Sequence, residues 1–149
     1  MLNEFRVSVI IKSDLNQVWN RLIDWKSQGE WMALTKVWSS VDESGISGVG
    51  TEIQAFTGVG RFGILDKMVV TEWQPPQFCA VDHYGRWIKG IGEFKLTQLP
   101  DNTVRFDWYE EIKAPKLVLL AIKPGILIAV TYSLRKFASS FADGQQTSQ

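Results

Sequence analysis

The chain has 149 residues, of which 45% are hydrophobic and 21% charged, and its 16 basic and 16 acidic side chains give a formal net charge of zero. This is the length and composition of one soluble globular domain with a full core. A neutral chain without a basic run does not favour a nucleic-acid partner, because binding to phosphates requires cations that displace counterions.

The single cysteine and the single histidine restrict the chemistry of any site. Cys79 cannot form an internal disulfide and no signal peptide precedes Asn3, so we expect a cytoplasmic location. One Cys and one His also cannot build a His/Cys metal cluster. We therefore expect neither a metal nor a cofactor.

The N-terminal part of the chain predicts one strand followed by two short helices. Residues 5–11 alternate with a period of two, as in a half-buried strand. Asp14 is a candidate helix N-cap with Gln17 three residues later, as in a capping box, and the predicted helix continues to about Asp24. The irregular residues 25–34 predict a second short helix or a turn.

Between Thr35 and Lys113 turn residues recur at strand-length spacing, which predicts a run of antiparallel strands. The predicted strands are 36–42, 51–57, 61–73, 77–84, 87–99 and 103–113. A hairpin turn is expected at Gly85-Arg86. Within the last strand the apolar side chains take the even positions, so we predict that the even face is buried. The buried face of 61–73 is not determined, because Met68, Val69 and Val70 are consecutive.

The longest apolar segment, residues 116–143, predicts a long C-terminal helix. The apolar side chains that recur at helical spacing are Ile126, Val130, Leu134, Phe137 and Phe141. Pro124 lacks an N–H, so we expect a short helical lead-in followed by the main helix. We favour a core helix over a membrane span, because Lys123 at the centre of the segment would cost about 3 kcal/mol in lipid.

Together these elements predict an α+β fold with segregated strands and helices. A curved antiparallel sheet of about seven strands would wrap around the C-terminal helix, with two short helices after the first strand. We expect residues 1–143 to form one domain and residues 144–149 to form a disordered polar tail.

Several short motifs occur in a characteristic order along the chain. They are Asp14-Leu15-Asn16-Gln17-Val18-Trp19, Leu22-Ile23-Asp24-Trp25 with Trp31, Gly48-Val49-Gly50-Thr51, Glu72-Trp73-Gln74-Pro75-Pro76 and the C-terminal helix. In this order the chain resembles the START-like (SRPBCC) helix-grip superfamily, in its polyketide cyclase/dehydrase-like branch, over nearly its whole length. The resemblance implies a hydrophobic cavity between sheet and helix that holds a lipid, polyketide, steroid or similar molecule. It does not imply a reaction, because the superfamily includes enzymes, carriers and sensors.

Aromatic residues are abundant, with seven Trp, eight Phe and three Tyr, which favours an apolar pocket in a chain without a catalytic cluster. Each such residue is more often an ordinary core residue. The side chains that we predict to line the cavity are Trp31, Met32, Phe56, Phe62, Met68, His83, Trp87, Phe94, Trp108, Glu110, Ile126 and Val130.

Glu110 is the candidate for catalysis, because an even position between Trp108 and Ile112 would place its carboxylate in the cavity. There it could transfer a proton or bind a ligand hydroxyl. The more ordinary interpretation, which we favour, is that it reaches water or pairs with Lys113 or Arg6 near the strand end.

His83 has two interpretations, an acid/base group at the cavity mouth or an ordinary residue of a hairpin tip, and we favour the second. Asp82 cannot orient its imidazole, because adjacent strand residues point to opposite faces. Cys79 lies too far along the same strand to be its nucleophile. The Gly58-Val59-Gly60 and Gly90-Ile91-Gly92 segments precede no helix, so we interpret them as hairpin or strand positions rather than phosphate loops.

Three functions fit the sequence. The favoured one is binding or carrying of a small hydrophobic ligand, since few titratable groups are available for catalysis. The alternatives are an enzyme of the polyketide aromatase/cyclase kind and a protein-interaction module. The expected partner is the small hydrophobic ligand, with no nucleic acid and no integral membrane insertion, and the sequence is compatible with a homodimer.

Overall fold

The computed structural model describes residues 2–146 and the side chains of residues 3–41 and 44–142. Seven antiparallel strands form one curled sheet in the order β1-β7-β6-β5-β4-β3-β2, and a long C-terminal helix packs against it. The strands are β1 Leu2–Ile11, β2 Thr35–Ser39, β3 Glu52–Val59, β4 Phe62–Gln74, β5 Phe78–Tyr84, β6 Lys89–Leu99 and β7 Thr103–Lys113. The helices are α1 Leu15–Leu22, α2 Gln28–Trp31, α3 Val41–Ser44 and α4 Lys116–Gln146, with a 3-10 turn at Trp25–Ser27. The α+β helix-grip arrangement predicted from the sequence is confirmed.

Helix α1 begins where its capping residues predict. The Asp14 carboxylate accepts the backbone N–H of Gln17 at 3.0 Å, which satisfies one of the free N–H groups of the first turn. The Ser13 hydroxyl donates to the Gln17 side chain at 2.8 Å. Val18 and Leu22, one helical turn apart, are fully buried and fix α1 against the sheet.

The short helix α3 was not predicted, and β2 is correspondingly shorter than the predicted strand 36–42. The Ser44 N–H donates to the Ser40 carbonyl at 3.0 Å, which closes a single helical turn. Gly45 follows at a φ of 72°, a left-handed conformation that suits glycine and ends the turn.

Strand β4 contains a bulge directly after Met68, Val69 and Val70. Val70 pairs with Val81 and Glu72 pairs with Ala80, so Thr71 is an extra residue on β4. Before the bulge the even-numbered residues face the hollow of the sheet. After it the odd-numbered Trp73 packs against the core.

The core lies between the hollow of the sheet and the second half of α4. The largest fully buried side chains are Trp31, Phe106, Phe137, Ile11, Leu22, Leu96, Leu134, Val18, Val70, Val104 and Cys79. The Phe137 ring lies 4.7 Å from the Trp31 ring and 5.8 Å from the Phe106 ring, measured between centroids. The Ser133 hydroxyl accepts the Ala33 N–H at 3.0 Å and so joins α4 to the segment after α2.

The first half of α4 is much more exposed than the second half. Leu117 is 81% exposed and Ile128 is 73% exposed. By length and composition Lys116–Ala142 could cross a membrane, but such a test is also passed by core helices, and the second half of α4 packs on the sheet. The helix is continuous through Pro124, so the expected division into lead-in and main helix is wrong. It ends at Gln146, within the predicted tail 144–149, and residues 147–149 lie outside the described part of the chain.

Candidate functional site

A cavity of about 390 Å³ lies between the hollow of the sheet and the first half of α4. Its wall consists of Trp25, Gln28, Met32, Ile53, Ala55, Thr57, Ile64, Asp66, Met68, Cys79, Val81, Ile88, Gly92, Phe94, Trp108, Glu110, Ala121, Ile122, Gly125, Ile126 and Ala129. Most of these side chains are apolar. The acidic side chains on the wall are those of Asp66 and Glu110, which lie on different strands of the sheet.

Half of the side chains predicted from the sequence lie on this wall. They are Met32, Met68, Phe94, Trp108, Glu110 and Ile126. The Phe94 and Trp108 rings are in contact, with centroids 5.0 Å apart, because these residues face each other across β6 and β7. Together they form an aromatic floor under the cavity.

The other predicted residues lie elsewhere. Trp31 and Val130 pack in the core below the cavity. Phe56 alternates with the inward-facing Ile53 and Ala55 of β3 and is half-buried off the wall. Phe62 and Trp87 are 75% and 46% exposed at hairpin ends, where the guanidinium groups of neighbouring arginines lie over their rings. The prediction that these two residues line the cavity is wrong.

His83 is buried, with 5% of its surface exposed, and it bridges the two carboxylates of the cavity wall. Its Nδ1 lies 2.9 Å and 2.8 Å from the two oxygens of Asp66. Its Nε2 lies 3.3 Å from Oε2 of Glu110, at ion-pair distance but without the alignment of a hydrogen bond. The interpretations that we favoured from the sequence, a hairpin-tip His83 and a Glu110 paired with Lys113 or Arg6, are both wrong.

The two carboxylates control the protonation of His83. Burial lowers the pKa of its imidazole, but the charge of Glu110 and the hydrogen bond to Asp66 outweigh burial and raise the pKa to about 10. The imidazole is therefore protonated at neutral pH. These three side chains form one cluster, Asp66–His83–Glu110, with the imidazolium between the two acidic side chains.

Gly92 has no side chain, which leaves room for the side chains of His83 and Glu110. It pairs with Val81 on one side and Glu110 on the other, in the middle of the sheet. A Cβ atom at this position would lie 3.2 Å from Nε2 of His83 and 3.5 Å from Oε1 of Glu110. The glycine therefore keeps the carboxylate of Glu110 open to the cavity, as expected of a strand glycine at a site of close approach.

Asp66 is the functional residue that the sequence did not reveal. It lies on β4, whose buried face was left open because Met68, Val69 and Val70 are consecutive. The prediction that Asp82 does not orient His83 is confirmed, because Asp82 is exposed on the other face of β5. Cys79 lies on the wall, but burial raises the pKa of its thiol to about 12, which makes it an unreactive thiol at neutral pH.

No protein-family model matches this chain, and no curated protein sequence matches it. Solved structures do. The aromatase/cyclase Zhui from Streptomyces sp. R1128 superimposes with a TM-score of 0.76 at 11% identity, over 95% of this chain and 94% of that one. The START superfamily protein from Mycobacterium smegmatis superimposes with a TM-score of 0.72 at 8% identity, over 92% of this chain and 97% of that one.

The protein has the START-like helix-grip fold. The di-domain ARO/CYC StfQ from the steffimycin biosynthetic pathway shares it, with a TM-score of 0.75 at 8% identity over 98% of this chain. This chain spans about half of StfQ, 52% of its length. At these identities the likeness establishes the START-like fold, while the function has to be argued from the cavity and its cluster.

Proposed function

We propose that this START-like protein binds a small hydrophobic ligand, such as a lipid, a polyketide or a similar molecule, between the sheet and α4. The observation that carries the proposal is the cavity of about 390 Å³ with a mostly apolar wall and one polar cluster. Ligand sites are typically concave, apolar and supplied with a few polar groups that fix the orientation of the ligand.

The apolar wall is sufficient for measurable affinity. A two-ring aromatic molecule has about the surface of a Trp side chain, roughly 250 Å². Burial of that surface at about 25 cal/mol per Å² contributes about 6 kcal/mol. This corresponds to a dissociation constant of about 30 µM before the costs of immobilising the ligand.

The binding test uses two variants on adjacent positions of α4. Ala129 lies on the cavity wall, whereas Ile128 is 73% exposed. We expect N-phenyl-1-naphthylamine to bind with a rise in fluorescence, and Ala129→Phe to weaken this binding at least tenfold by filling the cavity. Ile128→Phe is the matched control and should bind as the wild type does. An absence of probe binding, together with native mass spectra free of any retained ligand, would contradict the proposal.

A second candidate is an enzyme of the aromatase/cyclase kind, and one observation favours it. The carboxylate of Glu110 lies on the cavity wall with His83 behind it, which makes Glu110 a candidate for proton transfer. In this function Glu110→Gln would abolish turnover of a polyketide substrate without changing the unfolding temperature. Unchanged turnover would remove Glu110 from the mechanism.

We also propose that the protein is cytoplasmic and forms a homodimer through the exposed face of α4. Leu117, Leu120 and Ile128 expose 81%, 62% and 73% of their surfaces on that helix. A second copy that covered them would bury apolar area and so stabilise the pair. Sedimentation equilibrium should show a dimer that the double variant Leu117→Glu, Leu120→Glu converts to a monomer, and a wild-type monomer would contradict this part of the proposal.

A further inference from the structure

The Asp66–His83–Glu110 cluster contains an acceptor that its own members do not satisfy. His83 donates to both oxygens of Asp66, and its Nε2 lies 3.3 Å from Oε2 of Glu110. Oε1 of Glu110 lies above Gly92, which has no side chain to cover it. Because 17% of the Glu110 side chain is still accessible and the residue lines the cavity, this oxygen can accept a hydrogen bond from a ligand.

The same end of the cavity also contains buried donors without acceptors. The indole Nε1 of Trp108 has no hydrogen-bond partner among the described residues, and Trp108 is 6% exposed. Nε2 of His83 likewise has no aligned acceptor there. Trp108 lies two positions before Glu110 on the same face of β7, about 7 Å away along the strand. Neither nitrogen has accessible surface, so the hydrogen bond to a ligand in the cavity is assigned to Glu110, which lies on the wall.

An acceptor on the wall selects a ligand that can donate a hydrogen bond. An ether or a carbonyl cannot donate to Glu110, whereas a hydroxyl can.

We propose that the ligand of this cavity is an apolar molecule with a hydroxyl group, an alcohol, phenol or enol, which donates to Glu110. The rest of the molecule lies against Ile122 and Ile126 of α4, at the apolar side of the cavity. This inference rests on the proposed function, since it names the class of molecule that the same cavity takes.

The experiment compares three probes of nearly equal size at pH 7 by isothermal titration calorimetry. They are 2-naphthol, which can donate and accept, 2-methoxynaphthalene, which can only accept, and 2-methylnaphthalene, which can do neither. A hydrogen bond to a charged group predicts that 2-naphthol binds about tenfold more tightly, or better, than either of the others. Equal affinity of 2-naphthol and either analogue would overturn the hydroxyl assignment and leave the proposed function standing. If none of the three probes binds, the proposed function fails as well.

Variants of Glu110 test whether the preference for 2-naphthol depends on the Asp66–His83–Glu110 cluster. Glu110→Leu should remove the preference for 2-naphthol while retaining affinity for 2-methylnaphthalene, and Glu110→Gln should reduce it, because a neutral amide is the weaker acceptor. Asp82→Asn is the matched control, an exposed carboxylate beside His83 on the outer face of β5, and should keep the full preference. A preference that persists in both Glu110 variants would refute the role of this residue.

Discussion

The protonation of His83 makes a quantitative prediction about stability. The pKa of its imidazole rises from 6.5 to about 10 on folding, because the carboxylates of Glu110 and Asp66 outweigh the effect of burial. Between these two pH values the folded state holds one proton that the unfolded state has lost. The free energy of unfolding should therefore fall with rising pH by about 1.4 kcal/mol per pH unit from this group.

The sign and size of this effect follow from the same pKa values. The stabilisation is fully present below pH 6.5 and is lost as the pH rises through about 10. Over the whole interval the contribution is about 5 kcal/mol. It is large because the carboxylates of Glu110 and Asp66 outweigh the opposing effect of burial.

The assay is urea denaturation of the wild type and of His83→Gln at pH 6, 7, 8 and 9, with the difference in unfolding free energy plotted against pH. We expect this difference to shrink steadily as the pH rises. His83 is the single histidine of the chain, so its imidazole nitrogen resonances also report its protonation directly. Parallel stability curves for the two proteins, or an imidazole that titrates near 6.5, would refute the buried ion cluster.

Three further predictions concern the core, the site and the first helix. Phe137→Ala should lower the free energy of unfolding by about 3 to 5 kcal/mol, because this fully buried ring contacts other aromatic rings. The control Tyr132→Ala, at a side chain that is 57% exposed, should lower it by less than about 0.5 kcal/mol. Similar losses in the two variants would contradict the packing of α4. Gly92→Val should weaken 2-naphthol binding at least about tenfold in calorimetry, because its methyl groups would enter the space beside His83, and an unchanged affinity would show that the ligand lies elsewhere. Asp14→Ala should cost about 1 kcal/mol in urea denaturation through loss of the N-cap, and no loss would show that the cap is not stabilising.

Local signals in the sequence predicted most of the fold. The even positions of β7 proved buried, with Val104 and Phe106 fully inaccessible, because period-two alternation survives wherever one face of a sheet meets a core. The helical stripe of α4 likewise placed Leu134 and Phe137 in the core. The helix-grip fold was predicted from the order of these elements rather than from any single motif. The matched solved structures share this fold although only 8% to 14% of their residues are identical to those of this chain.

The site was less predictable, for identifiable physical reasons. The consecutive apolar residues Met68, Val69 and Val70 hid the buried face of β4, so counting in twos could not place Asp66 beside His83. Hydrophobicity alone also misplaced Phe62 and Trp87, since many apolar side chains stay exposed at the ends of hairpins. The contact between Asp66 and Glu110 through one imidazole depends on the register of four strands, which no local pattern encodes.

The most direct test of the cavity is a crystal structure of the protein equilibrated with 2-naphthol. The account predicts one ordered molecule between the sheet and α4, with its rings against Ile122 and Ile126 and its hydroxyl at hydrogen-bond distance from Glu110. A cavity closed by side chains, or a naphthol bound only on the outer face of α4, would contradict it.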